Sequence, residues 1–378
     1  MTRRLQANRL AGALLAAVAC STTQAQVKPA LTTDAALQAK AAAQTKAVHY
    51  PSPADAATEI GDLPERLADI AVAHHGKVAL YAVQLNTYKT AAMDADKPVQ
   101  TASTIKLALL WEAERQVALG KANWSDKITL KPGESVAGSG VLHFLDTPVT
   151  LTLKDVATMM VIVSDNTATN LMIDRFPTAE VDADMLALGL EQTWLYKKVM
   201  KPATGPMPDD QPKFGLGKTT PRQIAKLMER LGRCQLDLPN TPPVDPAKAN
   251  ATCAIGLDML RNQFYRDTVP RYLDVVDSIE QGSAIASKTG SLNATRSDVA
   301  IVAGKSGPIV LAIYTYDNDD QTWTVDNEGE VTVAKLAQAI VSTWSPTGTD
   351  ASKLKPGLGL MPTVGSSAGK RNATATPQ

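Results

Sequence analysis

β-Strand patterning occurs at two places far apart in the chain, and that separation limits the folds open to it. Lys77 to Asn86 alternates and is rich in Val, Leu and Tyr, and Lys89 to Met93 suits a hairpin partner. Three further β-rich runs, Ala284 to Lys288, Asp298 to Ala303 and Ile309 to Tyr316, come only near the other end. From residue 101 to about 280 the pattern is helical. A sheet made of these runs must join both ends of the chain. The simplest assembly is an α/β (α+β) fold: one five-stranded antiparallel sheet, terminal helices on one face, and an inserted all-helical lobe after the second strand. A cleft between the lobes is the natural place for a ligand.

Local chemistry sets the helix boundaries. Asp62 and Glu65 form a capping-box pattern for a first helix that Gly76 stops. Ser103 to Leu119 reads as one helix ending before Gly120. Thr152 and Asp155 cap another, whose run Met159 to Val163 is apolar on all sides and predicted buried. Thr220-Pro221-Arg222-Gln223 joins an N-cap, a first-turn proline and a capping Gln at the start of a helix through Leu231. A last helix covers about Glu330 to Trp344, and Pro346 stops it. The predicted domain is 59–346, with the helical lobe at about 101–280.

Lys+Arg and Asp+Glu both number 38, so a zero net charge gives no reason to expect nucleic acid or an anionic membrane as partner. Aromatics are 4%, few for base-stacking platforms. Arg3, Arg4 and Arg9 flank an apolar run, Leu10 to Ala19, that is shorter than the about 20 residues a membrane span needs. Thr23-Gln24-Ala25 offers a cleavage site, so residues 1–25 are expected to be a signal peptide and the protein periplasmic or secreted. Ala17-Val18-Ala19-Cys20 resembles a lipobox, so membrane attachment through a lipidated Cys20 is the alternative. Residues 26–58 read as a linker, and the Gly-, Pro-, Ser- and Thr-rich stretch 347–378 as a disordered tail. In an oxidising compartment Cys234 and Cys253 are expected to form a disulfide. Two cysteines without a nearby histidine make a poor zinc site, and no metal or cofactor is expected. The protein is expected to be a monomer.

Ser103-Thr104-Ile105-Lys106 carries the chemistry. Residues three apart share a helix face, which brings the lysine within reach of the serine hydroxyl. A serine is a weak nucleophile until a base takes its proton, and a lysine serves once burial or nearby positive charge lowers its pKa. Alone the motif is weak. Ser367 to Lys370 is a second match, and Gly365-Ser366-Ser367-Ala368-Gly369 formally matches a nucleophile elbow, but the tail offers no strand-to-helix turn. Ser103 stands apart because two more motifs come after it in order. Ser164-Asp165-Asn166 lies at the end of the buried apolar helix, and Lys288-Thr289-Gly290 at the end of a predicted strand. Singly, these suit helix punctuation and a strand-end turn. The ordered set does not.

With these three motifs the sequence resembles the penicillin-recognising serine enzymes, and within them the class A β-lactamases, over roughly residues 60–345. Gly138-Ser139-Gly140-Val141-Leu142 and Thr219-Thr220-Pro221 are similar to stretches of that family. The resemblance implies a β-lactamase/transpeptidase-like fold and a small-molecule β-lactam or a cell-wall peptide as substrate. It implies that Ser103 forms the acyl-enzyme, that Lys106 accepts or relays its proton, and that Ser164 passes a proton to the leaving nitrogen. Asn166 would hold substrate and Lys106. Lys288 would keep the site electropositive and hold Ser164. The backbone N–H groups of Ser103 and Ser291 would form the oxyanion hole, a feature of the kind that contributes several kcal/mol. Thr289, Gly290 and Ser291 would line the substrate carboxylate, and Arg296 would anchor it.

The departure concerns the clearing of the acyl-enzyme. Class A enzymes carry a Glu-x-x-x-Asn pattern in the loop after the Ser-Asp-Asn helices. Here the stretch Thr193 to Pro202 holds no acid; the nearest are Asp209 and Asp210. The sequence therefore implies a serine hydrolase with slow β-lactam hydrolysis, with a D-Ala-D-Ala carboxypeptidase or penicillin-binding protein as the alternative and a non-turning-over sensor as a third reading. A Ser-His-Asp triad is disfavoured, because His49, His74, His75 and His143 lack motif partners; only His143 is placed to neighbour the site.

Overall fold

The computed structural model of the chain describes residues 62–273 and 282–359. The expected signal peptide with Cys20, the linker 26–58, His49 and both motif matches near residues 365–370 lie outside the described residues. Helix α1 (Leu63–Val72) leads into β1 (Lys77–Gln84) and β2 (Thr90–Met93). β3 (Val99–Gln100) then delivers the chain to a 3₁₀ turn, Ala102–Ile105, and to α2 (Lys106–Ala118). β4 (Lys127–Leu130) and β5 (Val149–Thr152) precede α3 (Leu153–Ile162), α4 (Asn166–Arg175) and α5 (Thr178–Ala187). β6 (Trp194–Leu195), α6 (Gln211–Phe214) and β7 (Gly217–Thr219) lead to α7 (Pro221–Gly232) and α8 (Pro246–Arg261). The chain closes with β8 (Ile285–Leu292), β9 (Thr295–Gly304), β10 (Gly307–Tyr316) and α9 (Glu328–Trp344).

The five expected strands form one antiparallel sheet in the order β2-β1-β10-β9-β8. β1 pairs with β10 from Lys77 opposite Tyr316 to Gln84 opposite Ile309, so the two chain ends do meet. Successive strand residues face opposite sides, and here both sides are covered. Ala300, Val302, Ile309, Leu311 and Ile313 pack with Leu63, Leu67, Val333, Leu336 and Ile340 of α1 and α9. Val299, Ile301, Val310, Ala312 and Tyr314 pack with Ile105, Trp111, Ile224 and Leu227 of the helical lobe. Burial on both faces is why β9 and β10 read as near-continuous apolar runs.

The inserted lobe is not all-helical, which corrects the expectation. β4 and β5 form a ribbon, and β3-β7-β6 a small sheet joining the lobe to the first strands. β3, β6 and β7 span two or three residues, too few for a periodic signal. Caps divide in the same way. Thr152 and Asp155 form the full capping box, and Thr220 Oγ1 accepts from Gln223 N. The Gln223 side chain reaches instead to Gln192 N and Thr193 Oγ1. At α1 the expected box is absent: Asp62 is in the αR region without a side-chain cap and pairs with Arg66 at 3.9 Å.

The tail reading is also corrected in part. Residues 347–359 fold back on the body, with Gly304 bridging Thr349 and with Leu354 and Leu358 buried in the larger core. Two well-placed leucines outweigh a Gly- and Pro-rich composition. Cys234 and Cys253 are joined as a disulfide, tying the end of α7 to α8.

Candidate active site

Ser103 lies in the turn that enters α2, and Ala102 before it holds φ 45°. A non-glycine residue in the left-handed region costs about 1–3 kcal/mol and persists only where its surroundings enforce it. The expected continuous helix is observed as a 3₁₀ turn, Ala102–Ile105, followed by an α-helix from Lys106. Ser103 is left at a cavity wall, and Lys106 is aimed into the protein, fully buried. Lys106 Nζ is 2.7 Å from Ser164 O, 3.1 Å from Ser164 Oγ and 3.3 Å from Asn166 Oδ1. Among the described residues its hydrogen bonds thus go to the Ser-Asp-Asn corner rather than to Ser103. Lys288 Nζ, also fully buried, reaches the same Ser164 Oγ at 3.1 Å and Thr289 O at 2.9 Å. Ser164 is a second strained residue, at φ 53°. Its hydroxyl sits between two amines, so its own proton is free to point into the cavity.

Asp165, to which the sequence assigns no role, builds this corner. It caps α4 through Ala168 N (2.8 Å) and accepts from Val141 N (2.6 Å) and Leu142 N (2.8 Å). This explains Gly138 and Gly140. Both hold positive φ, and a Cβ on Gly140 would lie 2.3 Å from Asp165 Cα. Gly290 has a similar reason. A Cβ there would lie 2.8 Å from Thr101 O and 3.0 Å from Thr104 Cγ2, so glycine lets β8 press against the Ser103 turn.

Burial holds the Lys106 amine well below the usual lysine range, and the charge of Lys288 pushes it further; Asp165 opposes both. Burial brings Lys288 down to about 7, opposed by Asp298. Asp298 lies on the opposite face of the sheet, beside Thr289 in the register. It accepts from Thr268 Oγ1 at 2.7 Å, and burial raises its carboxyl to about 6. The arrangement therefore sets an amine of strongly lowered proton affinity at Lys106 beside a second one, at about 7, on Lys288. One can take a proton, and the other supplies positive charge.

The cavity beside Ser103 measures about 1130 Å³ and is lined by Ser164, Asn166, Thr289 and Ser291 among others. Lys197, Lys198, Val199 and Met200 form another part of its wall. Asn170, four residues after Asn166 on α4, fixes that wall by accepting from Val199 N at 2.8 Å and donating to Val199 O at 3.1 Å. Its spacing from Asn166 was the available signal. Lys198 pairs with Asp174, so the stretch brings no carboxylate to the cavity. Asp210 turns away to Lys218 (2.6 Å) and Tyr196 OH (3.0 Å), and neither it nor Asp209 is among the cavity residues.

Arg296 is not brought into the cavity. It is fully buried, bound to the carbonyls of Leu292, Thr295 and Thr322, and paired with Glu330 at 3.2 Å. His74 is held by Asn318 and Thr332, His75 by Glu328, and His143 packs on Phe144. None of the three lines the cavity.

A five-stranded antiparallel sheet, an inserted helical lobe, and a Ser-x-x-Lys turn meeting Ser-Asp-Asn and Lys-Thr-Gly across one cleft define the penicillin-recognising serine hydrolases. A sequence model of the Beta-lactamase enzyme family matches residues 62–344, and the chain belongs to that family. No curated protein matches the chain. Among solved structures, a beta-lactamase from Sphaerobacter thermophilus DSM 20745 is 26% identical, with TM-score 0.62, over 75% of this chain and 98% of its own. The structure of PBP-A is 22% identical, with TM-score 0.60, over 77% and 98%. An ancestral class A beta-lactamase is 21% identical, with TM-score 0.60, over 74% and 99%. The last two speak for the fold alone.

Proposed function

We propose that this chain is a serine hydrolase that takes up an acyl group on Ser103 from β-lactams and cell-wall peptides and releases it slowly. One observation carries the reading: a buried lysine–serine–lysine cluster borders a cavity whose Val199 wall, where a clearing base belongs, holds no carboxylate. As Ser103 Oγ attacks the carbonyl, neutral Lys106 takes its proton through the Ser164 corner. The backbone N–H groups of Ser103 and Ser291 donate to the oxyanion. Ser164 gives its proton to the leaving nitrogen and is replenished by the flanking amines. Asn166, Thr289 and Ser291 contact substrate, and Lys288 maintains the positive field. The ester on Ser103 then waits for water that no carboxylate of the Val199 wall activates. This favours penicillin-binding behaviour over fast β-lactam hydrolysis. The disulfide suits a periplasmic or secreted site of action, and the protein is proposed to act as a monomer.

Stopped-flow mixing with nitrocefin tests this, with intact-mass spectrometry following the ester. A burst of about one equivalent and a long-lived adduct are expected. Sustained turnover without accumulation of adduct refutes slow release, and absence of any adduct refutes the acyl-enzyme itself.

A further inference from the structure

The guanidinium that the family resemblance assigns to the substrate carboxylate is withdrawn from the cavity. Arg296 donates to main-chain carbonyls of Leu292, Asn293, Thr295 and Thr322. Its Nε meets Glu330 Oε1 at 3.2 Å, and the indole of Trp323 covers it at 4.5 Å from ring centroid to guanidinium carbon. Trp323 and Glu330 themselves line the cavity, together with Asp267 and the turn Leu292–Thr295 that follows Ser291. A substrate group passing Ser291 therefore meets an indole and two carboxylates where the resemblance places a cation. The charges coupled to this pair do not reverse the balance. Arg296 feels Glu330 and Asp320, and Glu330 feels Asp267 and Arg271 besides Arg296. Arg271 is itself paired with Asp326 at 2.8 Å. Lys288, Thr289 and Ser291 still offer hydrogen bonds on the near side, but two of the Lys288 donors are engaged by Ser164 and Thr289 O.

We infer that the leaving-group end of this site is built for substrates without a free carboxylate there, such as a peptide that continues past the scissile bond, with Glu330 and Trp323 as the specificity-determining residues that keep Arg296 out of recognition. The inference rests on the proposed acyl-enzyme function. The cavity lining also takes in Trp323, Thr324 and Val325, of which Trp323 and Val325 are exposed, and this is the surface along which a continuing chain would lie.

The test compares one penicillin as free acid and as methyl ester, measuring the second-order rate of adduct formation on the full chain by intact mass. A working guanidinium anchor favours the acid by about 100-fold, the equivalent of a strong charge-assisted hydrogen bond. The expected acid-to-ester ratio here is about one; a ratio above about 10-fold, about half the free energy of the full anchor, overturns the inference. Glu330→Gln frees one Arg296 bond and is expected to raise the ratio at least about threefold. An unchanged ratio in a folded Glu330→Gln removes the role given to Glu330. Trp323→Ala, at a ring that is 66% exposed, supplies the same test where Glu330→Gln does not fold. Adducts with neither probe overturn the proposed function instead, and this differs from a high ratio.

Discussion

Val199→Glu is the most informative change the site allows. Asn170 holds the Val199 backbone by both its N–H and its carbonyl, so the substitution changes the side chain without releasing the wall. The new carboxylate is added to the cavity that Ser103 and Asn166 also line. Losing a buried valine costs at most about 1.5–3 kcal/mol. A positioned general base contributes ~10²–10⁴-fold. Val199 was not placed for that task, so the lower end, about 100-fold faster loss of the acyl group, is the expectation. Acylation moves the other way. A negative charge added to the cavity acts on Lys106 in the direction Asp165 does, raising the amine's pKa and reducing its neutral fraction. Nitrocefin burst rate and adduct lifetime, read by stopped flow and intact mass, separate the two steps. Val199→Gln is the control for shape without charge. If folded Val199→Glu keeps the wild-type adduct lifetime within about threefold, the wall does not face the ester and the account of slow release is wrong.

Ser103→Ala and Lys106→Ala should each abolish labelling by a fluorescent penicillin on gels; label retained on either variant refutes that residue's role. Acylation should fall as pH rises through about 7, where Lys288 loses its proton. Asp298→Asn removes the charge that supports that proton, so the alkaline limb of the pH–rate profile should move to lower pH; movement upward contradicts the coupling. Asp184 is raised to about 8 by burial and by its hydrogen bond with Glu112. A raised folded-state pKa stabilises fully below the unfolded value and loses that contribution as pH climbs through the folded one. Melting temperature should therefore decline between the ordinary carboxylate range and about pH 8 in wild type and decline less in Asp184→Asn, as differential scanning fluorimetry would show. Gly140→Ala should lower the melting temperature and acylation together, because its Cβ meets the Asp165 backbone.

Much of this molecule was legible before folding. Long, doubly buried strands and three ordered motifs announce themselves through composition and sequence order, so the sheet, Ser103, Lys106, Ser164 and Lys288 were within reach. What escaped depends on pairings distant in sequence. Asp165 matters through backbone N–H groups of the 138–142 loop, which carry no residue signature. Arg296 is an arginine after a Lys-Thr-Gly strand whichever way its guanidinium turns. Only the positions of Trp323 and Glu330 decide between substrate and core. The strands β3, β6 and β7 are too short for any pattern to register.

The pairing of β1 with β10 has a consequence for how the protein comes into being. β10 is the central strand, and its partner β1 is made more than two hundred residues earlier, from Lys77 opposite Tyr316 onward. Loop-closure entropy must be met before that ladder returns anything, and such long-range pairing is slow. During synthesis the first hairpin waits with an open edge while the inserted lobe is made. The larger core is not complete until Leu354 and Leu358 are available. The finished sheet therefore comes late in synthesis, after its first hairpin has stood with an unpaired edge.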